Sequence, residues 1–101
     1  MSFEILMGLE VTDDPGYDNY RAAMKPILKT YDGRFGYDFK VSDTLISEQN
    51  PDINRVFTIN FPDKQQMKDF FSDPLYLQAR EKYFIDSVAS VTMISSYQKT
   101  D

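Results

Sequence analysis

The residues of this chain with chemistry to offer are tyrosines, arginines and carboxylates. Tyr17, Tyr20 and Tyr31 recur at helical spacing, which brings their hydroxyls to one helix face. As a functional set they orient a ligand in a cleft between helix and sheet; as a structural set they are amphipathic core residues with wet tips. Arg55 shares the strand parity of Phe57 and Ile59 and points toward the helices. There it either clamps a ligand carboxylate or enolate bidentately or closes an ion pair with Asp13, Asp14 or another acid. Glu10 and Asp38 fall by parity on the opposite sheet face, with Lys40, Thr58 and Asn60. Buried together, two carboxylates leave one with a raised pKa, suited to act as general base; at strand ends facing water, or paired across a dimer, they carry no chemistry. Arg34 follows Gly33 and joins either group.

Two absences set the limits. The chain has no histidine and no cysteine. There is therefore no imidazole base, no Ser-His-Asp triad, no thiolate nucleophile, and no histidine- or thiolate-held metal. Proton transfer is left to carboxylates, Lys and Tyr. Asp13, Asp14 and Asp18 are explained as a helix cap and first-turn acids, so no Mg²⁺ or Ca²⁺ site is expected. Arg21, Lys25 and Lys29, at i, i+4 spacing, read as a solvated stripe.

The elements that position these groups follow from periodicity. Residues 3–11 alternate as a strand; Asp14 before Pro15 starts a helix with the carboxylate as cap, and Gly33 ends it. Tyr17, Tyr20, Met24, Ile27, Leu28 and Tyr31 mark its buried stripe, and Pro26 predicts a kink near residues 22–25. Residues 34–47 read as a second strand, Asn50-Pro51-Asp52 as turn chemistry, and 54–61 as a third strand. Asp63 with Gln66 forms a capping box for a helix over 64–72, Asp73-Pro74 restarts a helix, and 88–97 closes the chain as a fourth strand. The order is β-α-β-β-α-β. Right-handed crossovers then give an α+β, ferredoxin-like fold: one antiparallel sheet in order 4-1-3-2 with the helices on one face. Strands one and three are apolar on both faces, since Leu6 backs Ile5 and Met7, and Val56 backs Phe57. The uncovered face is expected to pair with a second copy, as a homodimer.

Composition agrees. With 101 residues the chain is expected to be one domain, residues 1–101, and eight Phe and seven Tyr give it a core. A net charge of −5 with scattered basic residues argues against a nucleic-acid partner. No apolar run reaches membrane-spanning length and no signal-peptide pattern opens the sequence, so the cytoplasm is expected and a membrane is not.

Taken together, Val11-Thr12-Asp13 with Tyr17 and Tyr20, Pro26, Tyr31 through Gly33-Arg34-Phe35, Arg55 leading into Phe61-Pro62, and Ser72-Asp73-Pro74-Leu75-Tyr76 resemble a bacterial family of small proteins. It is called domain of unknown function thirteen-thirty, within the dimeric α/β-barrel superfamily. The resemblance covers nearly the whole chain. It implies a protomer whose sheet pairs with a second protomer's to form a barrel with helices outside. More distant members include cofactor-independent monooxygenases, lactone isomerases and haem enzymes. The histidine ligands of the haem-binding members have no counterpart here, so no cofactor is expected.

Two readings follow. In one, the protein is a cofactor-independent, monooxygenase- or isomerase-like enzyme acting on a small organic acid or enolisable compound. Tyr17 and Tyr20 shape its pocket, Arg55 or Arg34 holds the anion, and Asp38 or Glu10 moves a proton. In the other, it is a non-catalytic homodimeric small-molecule-binding or interaction module. A pocket of at least about 300 Å³ with Arg55 at its wall favours the first, and a filled core with Arg55 ion-paired favours the second.

Overall fold

A computed structural model describes residues 1–49 and 51–100. Asn50, first residue of the expected Asn50-Pro51-Asp52 turn, lies outside them. Strand β1 (Ser2–Val11) leads into helix α1 (Asp14–Thr30), followed by β2 (Arg34–Lys40) and β3 (Arg55–Phe61). Helices α2 (Lys64–Ser72) and α3 (Pro74–Ala79), a π-helical turn (Arg80–Phe84) and β4 (Val88–Lys99) complete the order. The four strands form one antiparallel sheet, β2-β3-β1-β4, which is the expected order read from the other edge. The fold is α+β and ferredoxin-like.

Local chemistry explains most boundaries. Asp13, one residue earlier than expected, caps α1 by accepting the Gly16 N–H at 3.2 Å, which places Pro15 inside the first turn where its missing N–H is harmless. Pro26 sits on the exposed side of α1, and the helix continues through it to Thr30. The helix ends in a Schellman pattern: Gly33 N–H donates to Leu28 O and Asp32 N–H to Lys29 O. Its left-handed residue is Asp32, at φ 56°, so Gly33 is required for space instead; a Cβ there would lie 2.4 Å from Leu28 Cδ1. Asp63 caps α2 through Gln66 N–H at 2.8 Å, and Asp73 caps α3 through Leu75 N–H at 2.8 Å.

Strand β2 departs from expectation in length and in register. It stops at Lys40, and residues 41–49 and 51–54 lie outside any strand, pinned to the sheet at the far end. Asn54 does the pinning, exchanging side-chain hydrogen bonds of 2.8 Å each with the Val11 N–H and C=O. Within β2, Phe35 lies opposite Ile59 but Asp38 lies opposite Phe57, so Gly36 and Tyr37 together face Thr58. This is a β-bulge. The Tyr37 N–H donates to Thr58 Oγ1 at 2.9 Å, and a Cβ on Gly36 would come within 2.6 Å of that same oxygen. The extra residue reverses the facing of everything after it. Asp38 is thereby moved to the helix side of the sheet.

The core lies between helices and sheet, around Ile5, Tyr17, Met24, Phe61 and Phe70. Across the other sheet face runs a polar row, Arg34–Asn60–Glu4–Tyr97, in direct register. Glu4 is buried there and accepts from Tyr97 OH at 2.5 Å and Asn60 Nδ2 at 3.2 Å, with Lys99 Nζ 3.6 Å away. Burial raises its pKa, but these donors outweigh it and hold the carboxyl below its ordinary value. Further along the same face, Phe39, Val56 and Gly8 are aligned, with Ile53 and Ile94 packed over Gly8. Among the described residues no helix is long and apolar enough to cross a membrane.

Candidate functional site

A cleft opens on the helix side of the sheet. Its floor is Ile5, Met7, Leu9, Phe57, Ile59 and Val91 from the strands. Tyr17, Tyr20, Arg21 and Met24 of α1 form one wall, and Tyr76, Arg80 and Phe84 form the other. The cavity measures about 210 Å³ and is mostly apolar. That is short of the roughly 300 Å³ typical of pockets for drug-sized ligands. It nevertheless exceeds the ~150 Å³ of an engineered apolar cavity that takes up benzene. One substituted ring is the appropriate scale.

The second wall is built by spacing. Tyr76, Arg80 and Phe84 fall every fourth residue, and the chain closes a π-turn beneath them through Ile85 N–H to Arg80 O at 3.2 Å. Such turns are frequent at functional sites. Two hydroxyls meet across the cleft, Tyr20 OH and Tyr76 OH, 3.0 Å apart. One of the pair donates to the other, which leaves a second proton to offer elsewhere. Burial pushes the Tyr20 hydroxyl far up and raises that of Tyr76 too, the latter opposed by Tyr20's hydrogen bond and by Arg80's charge. At neutral pH both are therefore hydrogen-bond donors and neither is a base.

Beside the cleft is an ion cluster. Asp38 accepts from Arg21 Nη1 at 3.1 Å and Nη2 at 3.3 Å, and from Arg55 Nε at 2.9 Å and Nη2 at 3.1 Å. Arg21 Nε also donates to Tyr17 OH at 2.7 Å, and its guanidinium lies 4.0 Å from the Phe35 ring centroid and 4.7 Å from that of Phe57. Partial burial raises the Asp38 pKa, but the hydrogen bonds of Arg55 and then Arg21 outweigh it and hold the carboxyl below its ordinary range. Burial raises the Tyr17 hydroxyl, against the lowering effect of Arg21. A carboxylate held ionised by two guanidiniums is a poor proton acceptor.

The six residues singled out from sequence are divided by this geometry. Tyr17 and Tyr20 line the cleft together, their rings stacked 5.7 Å apart. Arg55 faces the helices, as its parity required, and is ion-paired to Asp38 outside the cleft lining. Asp38 and Glu10, expected on one face, lie on opposite faces because of the β2 bulge; Glu10 borders a separate polar cleft with Asp43, Thr44, Asp52 and Ile53. Arg34 is exposed on the far face, opposite Asn60. Three polar residues of the cleft, Arg21, Tyr76 and Arg80, escaped the sequence reading as site candidates. Arg21 was assigned to a solvated stripe but is buried; its spacing of four from Tyr17 and three from Met24 put it in the apolar stripe instead. Arg80 carried the same kind of signal, four residues from both Tyr76 and Phe84. Among the described residues no group of three or more His, Cys, Asp or Glu is arranged to hold a metal ion.

Comparison with known proteins places this geometry in context. A family model described as domain of unknown function (DUF1330) matches residues 4–97. No curated protein matches. Among solved structures, a protein of unknown function from Rhodopseudomonas palustris superposes with a TM-score of 0.77 at 15% identity, covering 99% of this chain and 83% of that one. A dimeric protein of unknown function with a ferredoxin-like fold, from Bacteroides fragilis, gives 0.63 at 12% identity, covering 97% and 96%. SnoaB, a cofactor-independent oxygenase from Streptomyces nogalater, gives 0.63 at 14% identity, covering 99% and 94%.

Proposed function

This chain belongs to the family of domain of unknown function DUF1330, and from that premise we propose that it is a homodimeric small-molecule-binding protein whose ligand occupies the cleft between helices and sheet. The observation that carries this reading is the cavity itself, about 210 Å³ of mostly apolar space between helices and sheet. Its ligand is an organic compound of about one ring. The ring body lies on Met7, Leu9, Ile59 and Val91, and the spare hydroxyl proton of the Tyr20–Tyr76 pair meets a polar substituent. The second copy covers the far sheet face, where Phe39 and Ile94 are about half exposed, and the two sheets close a barrel with the helices outside.

A catalytic form of the same reading draws support from one feature, the hydroxyl pair. A cofactor-independent oxidation or isomerisation of an enolisable ligand builds negative charge on an oxygen, and a neutral tyrosine donor stabilises that charge. Binding stands ahead of catalysis because among the described residues no carboxylate lines the cleft, and Asp38, the candidate base beside it, is paired with two arginines.

Native mass spectrometry of the protein purified from its own host tests the reading, together with an NMR titration using 4-methylacetophenone. The expected result is a dimer whose amide shifts on titration cluster at Met7, Tyr20, Phe84 and Val91. A protein whose cleft residues respond to neither the ketone nor the like-shaped 4-methylbenzoate, or that binds them only on the far sheet face, removes the cleft as the ligand site.

A further inference from the structure

We propose that Arg80 is the anion-binding residue of the cleft, and that its ligand is a monoanion with a single apolar ring, such as a ring carboxylate. This deepens the cleft-binding reading above and rests on it. Three arginines stand at or beside the cleft, and their charges are not equally available. Arg21 and Arg55 spend theirs on Asp38, each through two nitrogens, and Arg21 gives its Nε–H to Tyr17 as well. Arg80 is different. Among the described residues no carboxylate oxygen lies within 4.0 Å of its guanidinium, and its contact is with the Phe84 ring, 5.6 Å to the centroid. It is exposed, yet it lines the cavity.

That combination describes a cation at the mouth of an apolar pocket. A ligand's ring enters among Met7, Ile59, Phe71, Phe84 and Val91, where an ionic group would lose its hydration without compensation. Its charged end must therefore stay at the opening. There the planar guanidinium offers a paired set of N–H donors matched to a carboxylate. The apolar lining selects the ring, and Arg80 selects the charge. The π-turn that begins at Arg80 gives the arrangement a rigid base, because Phe84 and Tyr76 on the same stripe are packed into the core.

The discriminating experiment compares two probes of nearly equal shape, 4-methylbenzoate and 4-methylacetophenone, by isothermal titration on the parent and on Arg80→Gln. The parent is expected to favour the carboxylate by about tenfold or more. Arg80→Gln should weaken 4-methylbenzoate by roughly tenfold to a hundredfold, the range for a hydrogen bond to a charged group, and leave the ketone within about twofold. Arg80→Lys should recover part of the preference, and raised salt should erode it in the parent and in Arg80→Lys but not change Arg80→Gln. A parent that binds the ketone as tightly as the acid, or an Arg80→Gln variant that loses both probes equally, overturns the clamp while leaving the cleft intact as a binding site. A parent that binds neither probe overturns the cleft reading and the clamp with it.

Discussion

Asp38→Ala is expected to destabilise the protein by about 2–3 kcal/mol, a fall in Tm of roughly 10–20 °C for a domain of this size. The loss comes from what the substitution leaves behind. Arg21 is buried, its side chain 9% exposed, and Asp38 is the anion that compensates it. Removing that anion strands one buried guanidinium and one partly buried one side by side. Fully buried pairs broken in this way cost about 3–5 kcal/mol; the estimate here is smaller because a third of the Asp38 side chain stays in water. Arg21→Met should cost less than Asp38→Ala, since it keeps an unbranched chain among Phe35, Phe57 and Tyr17 and leaves Asp38 paired with Arg55. Chemical denaturation of both variants at neutral pH checks the order. An Asp38→Ala variant within about 0.5 kcal/mol of the parent would remove the ion cluster from the account of stability.

The same cluster fixes the sign of a pH effect. The folded pKa of Asp38 is depressed, so its contribution is complete above the unfolded value of about 3.9 and is lost as pH falls through the lower folded value. The gap between parent and Asp38→Ala should thus be constant from pH 7 to 5 and close in stronger acid. Glu4, depressed by its Tyr97, Asn60 and Lys99 partners against the opposing effect of burial, adds acid sensitivity of the same sign on the far face of the sheet.

Strong local signals made the fold legible. Asp63 and Asp73 each stand where a helix begins, and the alternation in β1 and β3 needed no tertiary knowledge to read. The candidate site was legible only in part, and the reason is specific. Strand parity is a long-range inference from a short-range rule, and it survives only while the register has no insertion. The Gly36–Tyr37 bulge breaks it, which is why Asp38 was assigned to the wrong face and separated from the arginines it binds. Gly36 was the available clue, because a glycine inside a strand often marks a bulge or a close approach. Arg21 failed for a different reason: a charged residue on a helix is solvated by default, and its burial depended on an acid supplied by a strand 17 residues away. Tyr17 and Tyr20 needed neither correction, since helical spacing alone put them on the inner face.

Phe39→Asp is expected to convert the proposed dimer to monomers, with association weakened by at least about a hundredfold, while the protomer keeps its circular dichroism spectrum and its Tm loses only the concentration-dependent part that association supplies. The residue stands 54% exposed in the single protomer, stacked on Tyr37 at 6.0 Å, so an aspartate there is solvated as long as the chain is alone. Across a two-fold interface every substitution occurs twice, and two carboxylates would be brought into an apolar contact with Val56, Ile53 and Ile94 nearby. Leu45 and Ile46, almost fully exposed on the loop whose Ile53 covers Gly8, are further apolar side chains that association could cover. Sedimentation equilibrium at micromolar concentration decides it, and a Phe39→Asp protein that remains dimeric would mean the copies meet elsewhere. The monomeric variant would also separate assembly from binding. The cleft lies on the opposite face of the sheet from Phe39. Dissociated Phe39→Asp chains should therefore bind 4-methylbenzoate as the parent does; if affinity falls with the dimer, the second copy helps to close the mouth at which Arg80 stands.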